Sequence, residues 1–408
     1  MTVNHTAGFA RVLGGAPGFG PQHRDTVTLL VARASGPLVT IGLLALLARR
    51  RGAGDVGLYG LAAAVFSILE AASSLGLRHL LPRELARRED PVLLASASVA
   101  CLLAGAILAV LAAAGAILAG GPAARVILLV AAATPIAAVA VPEEGYWLGV
   151  ERVRRLSAAL LAEQVIRLVG GLLLLANGAG VAWLVALTGI GRLAAVALAW
   201  PPGGLPLRSV SPETLRGLAR QVPVFLGLEA VFQLYWRVDV LLLSALSSLA
   251  EVGFYVAAYR VFSALLLLPQ SYGQILLPGM MKEGGEKLLR RGIIDTLMIG
   301  VVLGLVAGVG ALPLMRCLYG EGFQRAASVL VILSVGMVLA SVDQAQGKAL
   351  VARGRQRLDL SVLAVATACN VGLNLLLIPG HGAVGAAVAT LASLMVSVGG
   401  HARALRAN

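Results

Sequence analysis

The sequence predicts an all-α polytopic membrane protein: twelve transmembrane helices in two six-helix lobes, related by a pseudo-twofold along the membrane normal, with both termini inside (N-in/C-in). Three observations predict it. Of the 408 residues, 58% are hydrophobic and 13% charged, where soluble domains average about 45–50% and about 25%. The apolar residues form long unbroken runs, unlike the alternating segments of about 10 residues that build transmembrane barrels. Basic residues gather in every second connection. A soluble globular chain is excluded, as is a disordered one, which needs low hydrophobicity and high charge.

Apolar runs fall near 26–48, 57–77, 92–119, 123–142, 157–176, 181–200, 222–245, 253–277, 293–314, 326–342, 358–378 and 382–401. Each can cross about 30 Å of hydrocarbon as a helix, the tenth being short. Residues 1–25 are Gly-rich and lack the apolar stretch of a cleavable signal peptide. They are expected to form a flexible cytoplasmic tail, with the first span as the insertion signal. The N-lobe then covers 26–200, a cytoplasmic linker 201–221, the C-lobe 222–401 and a second cytoplasmic tail 402–408. The connections leave no room for an extramembrane domain.

With both termini inside, the inner segments hold 22 Lys or Arg and the outer segments six; the triplet Arg49–Arg51 is the local exception. This bias sets the orientation. It also accounts for the net charge of +13 without a nucleic-acid partner. Cys101, Cys317 and Cys369 are far apart and no Cys/His cluster exists, so neither a disulfide framework nor a metal or other cofactor is expected.

The chain repeats itself. Residues 55–82 and 251–278 align without a gap at an offset of 196, with 11 of 28 positions identical, among them Tyr59/Tyr255, Phe66/Phe262 and Pro82/Pro278. A second register at offset 202 sets Arg152–Leu156 against Gly354–Leu358 and Gly178, Gly180 against Gly380, Gly382. Six spans per half is an even number, so the halves share one orientation, the arrangement of a parallel repeat. Two such lobes enclose a cleft.

The stretch W-R-V-D-V-L-L-L-S-A-L-S-S-L-A-E-V-G-F-Y-V-A-A-Y-R-V-F-S-A-L-L-L-L-P-Q (236–270) resembles the seventh and eighth helices of polysaccharide flippases. A-G-D-V-G-L-Y-G-L-A (53–62), L-G-L-R-H-L-L-P-R-E-L-A-R-R (75–88) and N-V-G-L-N-L-L-L-I-P-G-H-G-A-V-G-A-A-V-A-T-L (370–391) fit the same pattern. The resemblance is to the O-antigen (Wzx-type) polysaccharide flippase family of the multidrug/oligosaccharidyl-lipid/polysaccharide exporter superfamily. It implies alternating access, a polyprenyl-pyrophosphate-linked oligosaccharide as substrate, and the bacterial inner membrane as location. It also implies a place in surface polysaccharide (lipopolysaccharide, O-antigen) biosynthesis beside a glycan polymerase or glycosyltransferases. The partners expected are thus the lipid-linked glycan and membrane lipids.

Moving such a substrate means covering its anionic head, whose burial in a dry interior costs on the order of tens of kcal/mol. Five Arg lie within spans: Arg33, Arg167, Arg192, Arg237 and Arg260. An intramembrane Arg is a functional candidate by default, and its planar fork suits phosphate. The resemblance favours Arg33 and Arg260, the latter beside Tyr255 and Tyr259. Glu229, Gln233 and Arg237 form one stripe at i, i+4, i+8. The substrate site is therefore assigned to Arg33, Gln233, Arg237, Tyr259 and Arg260. Ion coupling or structural charge pairs are assigned to Glu70, Glu163, Arg167, Arg192, Glu229 and Asp239. Glu163 can pair with Arg167 along its own helix or with Arg192 across helices. Polar faces at Asn370/Asn374 and Thr390/Ser393/Ser397 read as interhelical hydrogen bonds, and Gly300/Gly304/Gly308 as close packing. Asp295 and Asp343 are expected to be solvated.

Gly52–Gly57 matches G-x-G-x-x-G but follows no strand, Gly347-Lys348 is no phosphate loop, and no hydrolase motif occurs. An enzyme is not expected. Two rivals stay open: a cation-coupled multidrug exporter of the same superfamily, with a carboxylate-dominated cleft, and a non-transporting scaffold of a polysaccharide synthesis complex.

Overall fold

In the computed structural model the described residues are 21–87, 89–201, 204, 209–280 and 286–406; most of the expected N-terminal tail lies outside them. Fourteen α-helices occur among them, with no strand: α1 (Pro21–Arg51), α2 (Ala53–Ser73), α3 (Leu77–Arg87), α4 (Pro91–Ala119), α5 (Gly121–Gly149), α6 (Val153–Ala176), α7 (Val181–Ala199), α8 (Pro212–Leu246), α9 (Leu249–Met280), α10 (Glu286–Val309), α11 (Ala311–Tyr319), α12 (Gln324–Ala352), α13 (Gln356–His381) and α14 (Ala383–Arg406). Eleven of the described helices are long and apolar enough to cross a membrane, so the protein is a multi-pass membrane protein. The expected seventh span lies inside α8, a 35-residue helix that is not among those eleven.

Local chemistry sets the helix ends. Asp90 caps α4 by accepting from the backbone N–H groups of Val92 and Leu93 (2.9 and 3.0 Å), with Pro91 opening the helix. Ser211 and Pro212 do the same for α8. Gly382 turns the chain between α13 and α14 at φ +55°. Any side chain there would also overlap the carboxylate of Glu251, which accepts from Ala383 N–H (2.8 Å) and so ties α9 to the start of α14. Arg49–Arg51, the exception to the charge bias, has a structural use. Arg49 donates to the carbonyls of Leu318 (3.1 Å) and Cys317 at the end of α11, and Arg50 to that of Leu175 at the end of α6. Cations there satisfy orphan carbonyls and oppose the negative helix end.

Glycines decide which helices meet. Gly300, Gly304 and Gly308 lay α10 against Ser341 and Ser334 of α12. The closest approach joins the two repeats. A Cβ on Gly57 of α2 would overlap the Leu249 carbonyl and lie 2.9 Å from Gly253 N. Reciprocally, a Cβ on Gly253 of α9 would overlap the Ala53 carbonyl and lie 3.1 Å from Gly57 N. Each contact is the other's image at the offset of 196 read from the sequence. Around this seam lies the largest apolar core, including Tyr255 and Phe262 of α9, Met315 and Tyr319 of α11, and Phe323 just before α12.

Two expectations need correction. The fourth span does not stop at Pro142: α5 continues to Gly149, putting Glu143 and Glu144 inside the helix. Asp343 is not solvated; it is largely buried against His401 (2.8 Å), which also contacts Asp359 (3.0 Å). The partly exposed Asp295 accepts from Tyr272.

Candidate functional site

Helices α1, α2, α5, α6 and α7 surround a polar space. Its wide part, about 670 Å³, is lined by Arg33 and Gly36 of α1, Glu70 of α2, Arg78 of α3, Glu144 of α5 and Gln164 of α6. Its deeper part, about 160 Å³, is lined by Thr40, Tyr59, Phe66, Ser67 and Thr188, and by Arg260 from α9. Glu163, Arg167 and Arg192 line both. Together the linings bring five guanidinium groups to three carboxylates.

Arg78 lies 3.6 Å from Glu70, and the other four guanidinium groups fall into three kinds. Arg192 is held on both sides, with Nη2 donating to Glu70 Oε1 (2.6 Å) and Nη1 to Glu163 Oε2 (3.2 Å). Its side chain is 18% exposed, so this triad fastens α2, α6 and α7 together. Arg33 pairs with Glu144, but its side chain is 49% exposed. A pair so solvated is worth about 0–1 kcal/mol and can be exchanged. Arg167 has no carboxylate: Nη1 donates to Gln164 Oε1 (3.1 Å), and Nη2 to Thr40 Oγ1 (3.1 Å) and Tyr59 Oη (3.2 Å). Glu163 thus serves Arg192 across helices. Gly191 allows this, because its α-carbon packs where a Cβ would lie 3.3 Å from Glu163 Cγ. Arg260 projects into the deep cavity near Arg167, Arg237, Tyr59 and Tyr319, with no described carboxylate in ion-pair reach.

The other proposed site residues lie elsewhere. Gln233 donates to Glu229 (3.0 Å), so the α8 stripe bonds along itself. Arg237 Nε is buried without a partner, and Tyr259 stacks on Tyr255 (ring centroids 5.6 Å apart). Gln233, Arg237 and Tyr259 line neither part of the polar space. Asp239, 4% exposed, sits in the second half among neutral donors: Tyr255 Oη (2.6 Å), Asn374 Nδ2 (2.6 Å) and Thr390 Oγ1 (3.1 Å). Asn374 also donates to Asn370 (2.9 Å) and its own Oδ1 has no partner. A buried carboxylate is tolerable only when so satisfied.

Offsets 196 and 202 carry Tyr59 onto Tyr255 and Thr188 onto Thr390. Tyr59 meets the cation Arg167 in one half, whereas Tyr255 and Thr390 meet the anion Asp239 in the other. Sequence reasoning missed Glu144 and Arg78. The signal available was the Pro142-Glu143-Glu144 step, where proline and acids together suggest a loop; 29 residues of α5 reach about 43 Å and outrun the hydrocarbon.

A family model described as "Polysaccharide biosynthesis protein" matches residues 23–282. The probable low-salt glycan biosynthesis flippase Agl15 of Haloferax volcanii is 24% identical over 393 residues, 94% of this chain and 83% of that protein. The probable flippase AglR of the same organism is 30% identical over 169 residues, 39% of this chain and 36% of that protein. The solved structure of lipid II flippase MurJ in an inward closed conformation aligns with TM-score 0.79 at 12% identity, covering 93% of this chain and 87% of that one. An inward-facing multidrug resistance MATE family transporter of the MOP superfamily aligns with TM-score 0.72 at 17% identity, covering 91% and 97%. At these identities the likeness establishes the fold.

Proposed function

The chain belongs to the polysaccharide biosynthesis protein family, and from that premise we propose that it is an alternating-access flippase for a polyprenyl-pyrophosphate-linked oligosaccharide. It works without covalent chemistry, carrying the glycan from the inner to the outer leaflet of a bacterial inner membrane, beside the glycosyltransferases and polymerase of that synthesis. The named relatives that support the glycan assignment are archaeal. Twelve spans, counting α8, form two six-helix lobes with both termini inside. The reciprocal Gly57/Gly253 seam supports this arrangement and is the closed outer gate.

One observation carries the reading: Arg167 and Arg260, from opposite halves, face one cavity whose one described carboxylate, Glu163, is engaged by Arg192. They offer phosphate oxygens a replacement for water, and charge-assisted hydrogen bonds to guanidinium are the strong kind. Arg33 at the wide mouth exchanges Glu144 for phosphate as the substrate enters, while the prenyl tail stays in lipid. Binding across the halves favours their movement, which opens the seam and closes the mouth. Asp239, a buried carboxylate with no described cationic partner, takes the coupling proton or monovalent cation.

The test is translocation of a fluorescent lipid-linked glycan in proteoliposomes. Arg167→Gln and Arg260→Gln are expected to abolish it with protein levels intact; full activity in both would refute the site. The multidrug rival predicts cation binding at a carboxylate-rich cleft, whereas here guanidinium groups outnumber acids. Drug efflux with no glycan transfer would favour it, and glycan output without transfer would favour a scaffold.

A further inference from the structure

A second large cavity, about 740 Å³, opens far from this site, at the ends of α10, α12 and α14. Three arginines line it: Arg290 of α10, Arg353 just after α12 and Arg406 of α14. No carboxylate is among its described lining residues. The nearby acids Asp343 and Asp359 are engaged by His401. Gln346, 8% exposed, also lines the cavity, and its Oε1 has no partner. The walls between the charges are apolar, Ile293 and Leu405 among them.

We propose that this cleft binds the phosphate headgroup of an anionic phospholipid. Charge complementarity fits a phosphate; the surface below fits an acyl chain. From Arg290, successive i+4 steps along α10 reach Ile294, Met298, Val302 and Val306, which are 49%, 57%, 56% and 65% exposed. Residues one turn apart share a face. The stripe from Ile294 to Val306 runs roughly 18 Å along the axis, enough for one leaflet of a core about 30 Å thick. Its polar end is a cationic fork and its body is hydrocarbon, the outline of a phospholipid rather than of free phosphate. Basic pockets between helices at the membrane surface bind such headgroups. Arg353 is already positioned, donating to the Leu405 carbonyl (3.0 Å). Arg290 and Arg406 make no described ion pair or hydrogen bond and are available.

Native mass spectrometry of the full-length protein tests this, with phosphatidylglycerol, phosphatidylcholine and inorganic phosphate added separately. Wild type is expected to retain phosphatidylglycerol in preference to phosphatidylcholine. R290Q/R406Q is expected to weaken phosphatidylglycerol retention roughly thirtyfold, at about fivefold per arginine. Ile294→Gln with Met298→Gln, which leaves the charges in place, is expected to weaken it too. Equal retention of the two lipids, or unchanged retention in both variants of wild-type thermal stability, overturns the proposal. Displacement of the lipid by millimolar phosphate also overturns it, since the site would then read phosphate alone. Lipid retention is read without glycan transfer, so this result is separate from the flippase reading.

Discussion

Replacing Gly57 by alanine tests whether the α2–α9 seam is the closed gate. The added Cβ would overlap the Leu249 carbonyl and lie 2.9 Å from Gly253 N, against about 3.5 Å or more for an unstrained contact. Both obstacles are backbone, so no rotamer change relieves them and the two helices must part locally. Overpacking of this kind costs about 1–3 kcal/mol. Charged only to the closed state, that penalty lowers its population relative to the open one by roughly fivefold to 150-fold. The assay uses a background with Cys101, Cys317 and Cys369 replaced by alanine, and Val252→Cys as reporter. Val252 is fully buried beside the seam, so a membrane-impermeant maleimide should reach it only when the seam opens. Gly57→Ala is expected to raise the labelling rate at least severalfold. Unchanged labelling together with wild-type glycan transfer would refute both the packing argument and the gate.

Other expected outcomes follow from the charge geometry. Arg192→Gln leaves Glu70 and Glu163 facing each other's charge in a largely buried site and should destabilise the protein by about 3–5 kcal/mol, whereas Arg33→Gln should cost no more than about 1 kcal/mol; detergent denaturation midpoints distinguish them. Glu144→Gln frees Arg33 and should tighten binding of the lipid-linked glycan by up to about fivefold, as its competing pair is worth about 0–1 kcal/mol; weaker binding in a fluorescence titration would contradict exchange at the mouth. Asp239→Asn keeps the shape of the Tyr255–Asn374–Thr390 cage but removes the charge. It should leave glycan binding intact and abolish gradient-driven transfer, and gradient-driven transfer at the wild-type rate would remove Asp239 from coupling.

Much of the architecture was legible from composition and period. The apolar runs located the helices that span, and the match of Gly57-Leu58-Tyr59 with Gly253-Phe254-Tyr255 marked a repeat, though only the structure brought those two helices into contact. The glycine ladder on α10 likewise named its own packing face. Boundaries were less secure. Pro142 and the acids after it look like a loop ending, yet α5 carries Glu143 and Glu144 onward as helix because neighbouring helices can satisfy the groups a proline frees. The polar stripe of α8 was visible, but its Gln233 turns to Glu229 and away from the polar space.

The residues alone determined that this is a multi-pass helical membrane protein with an internal repeat, because hydropathy and helical period are properties of neighbouring positions. They also supplied the five intramembrane arginines. Only the tertiary structure decided which of them are neutralised. Arg192 meets Glu70 across 122 positions and Arg33 meets Glu144 across 111, while Arg167 and Arg260 converge from separate halves on a cavity whose one described acid, Glu163, is held by Arg192. Such pairings depend on how helices rotate and cross, and a side chain's helical period does not reveal which distant helix lies opposite it.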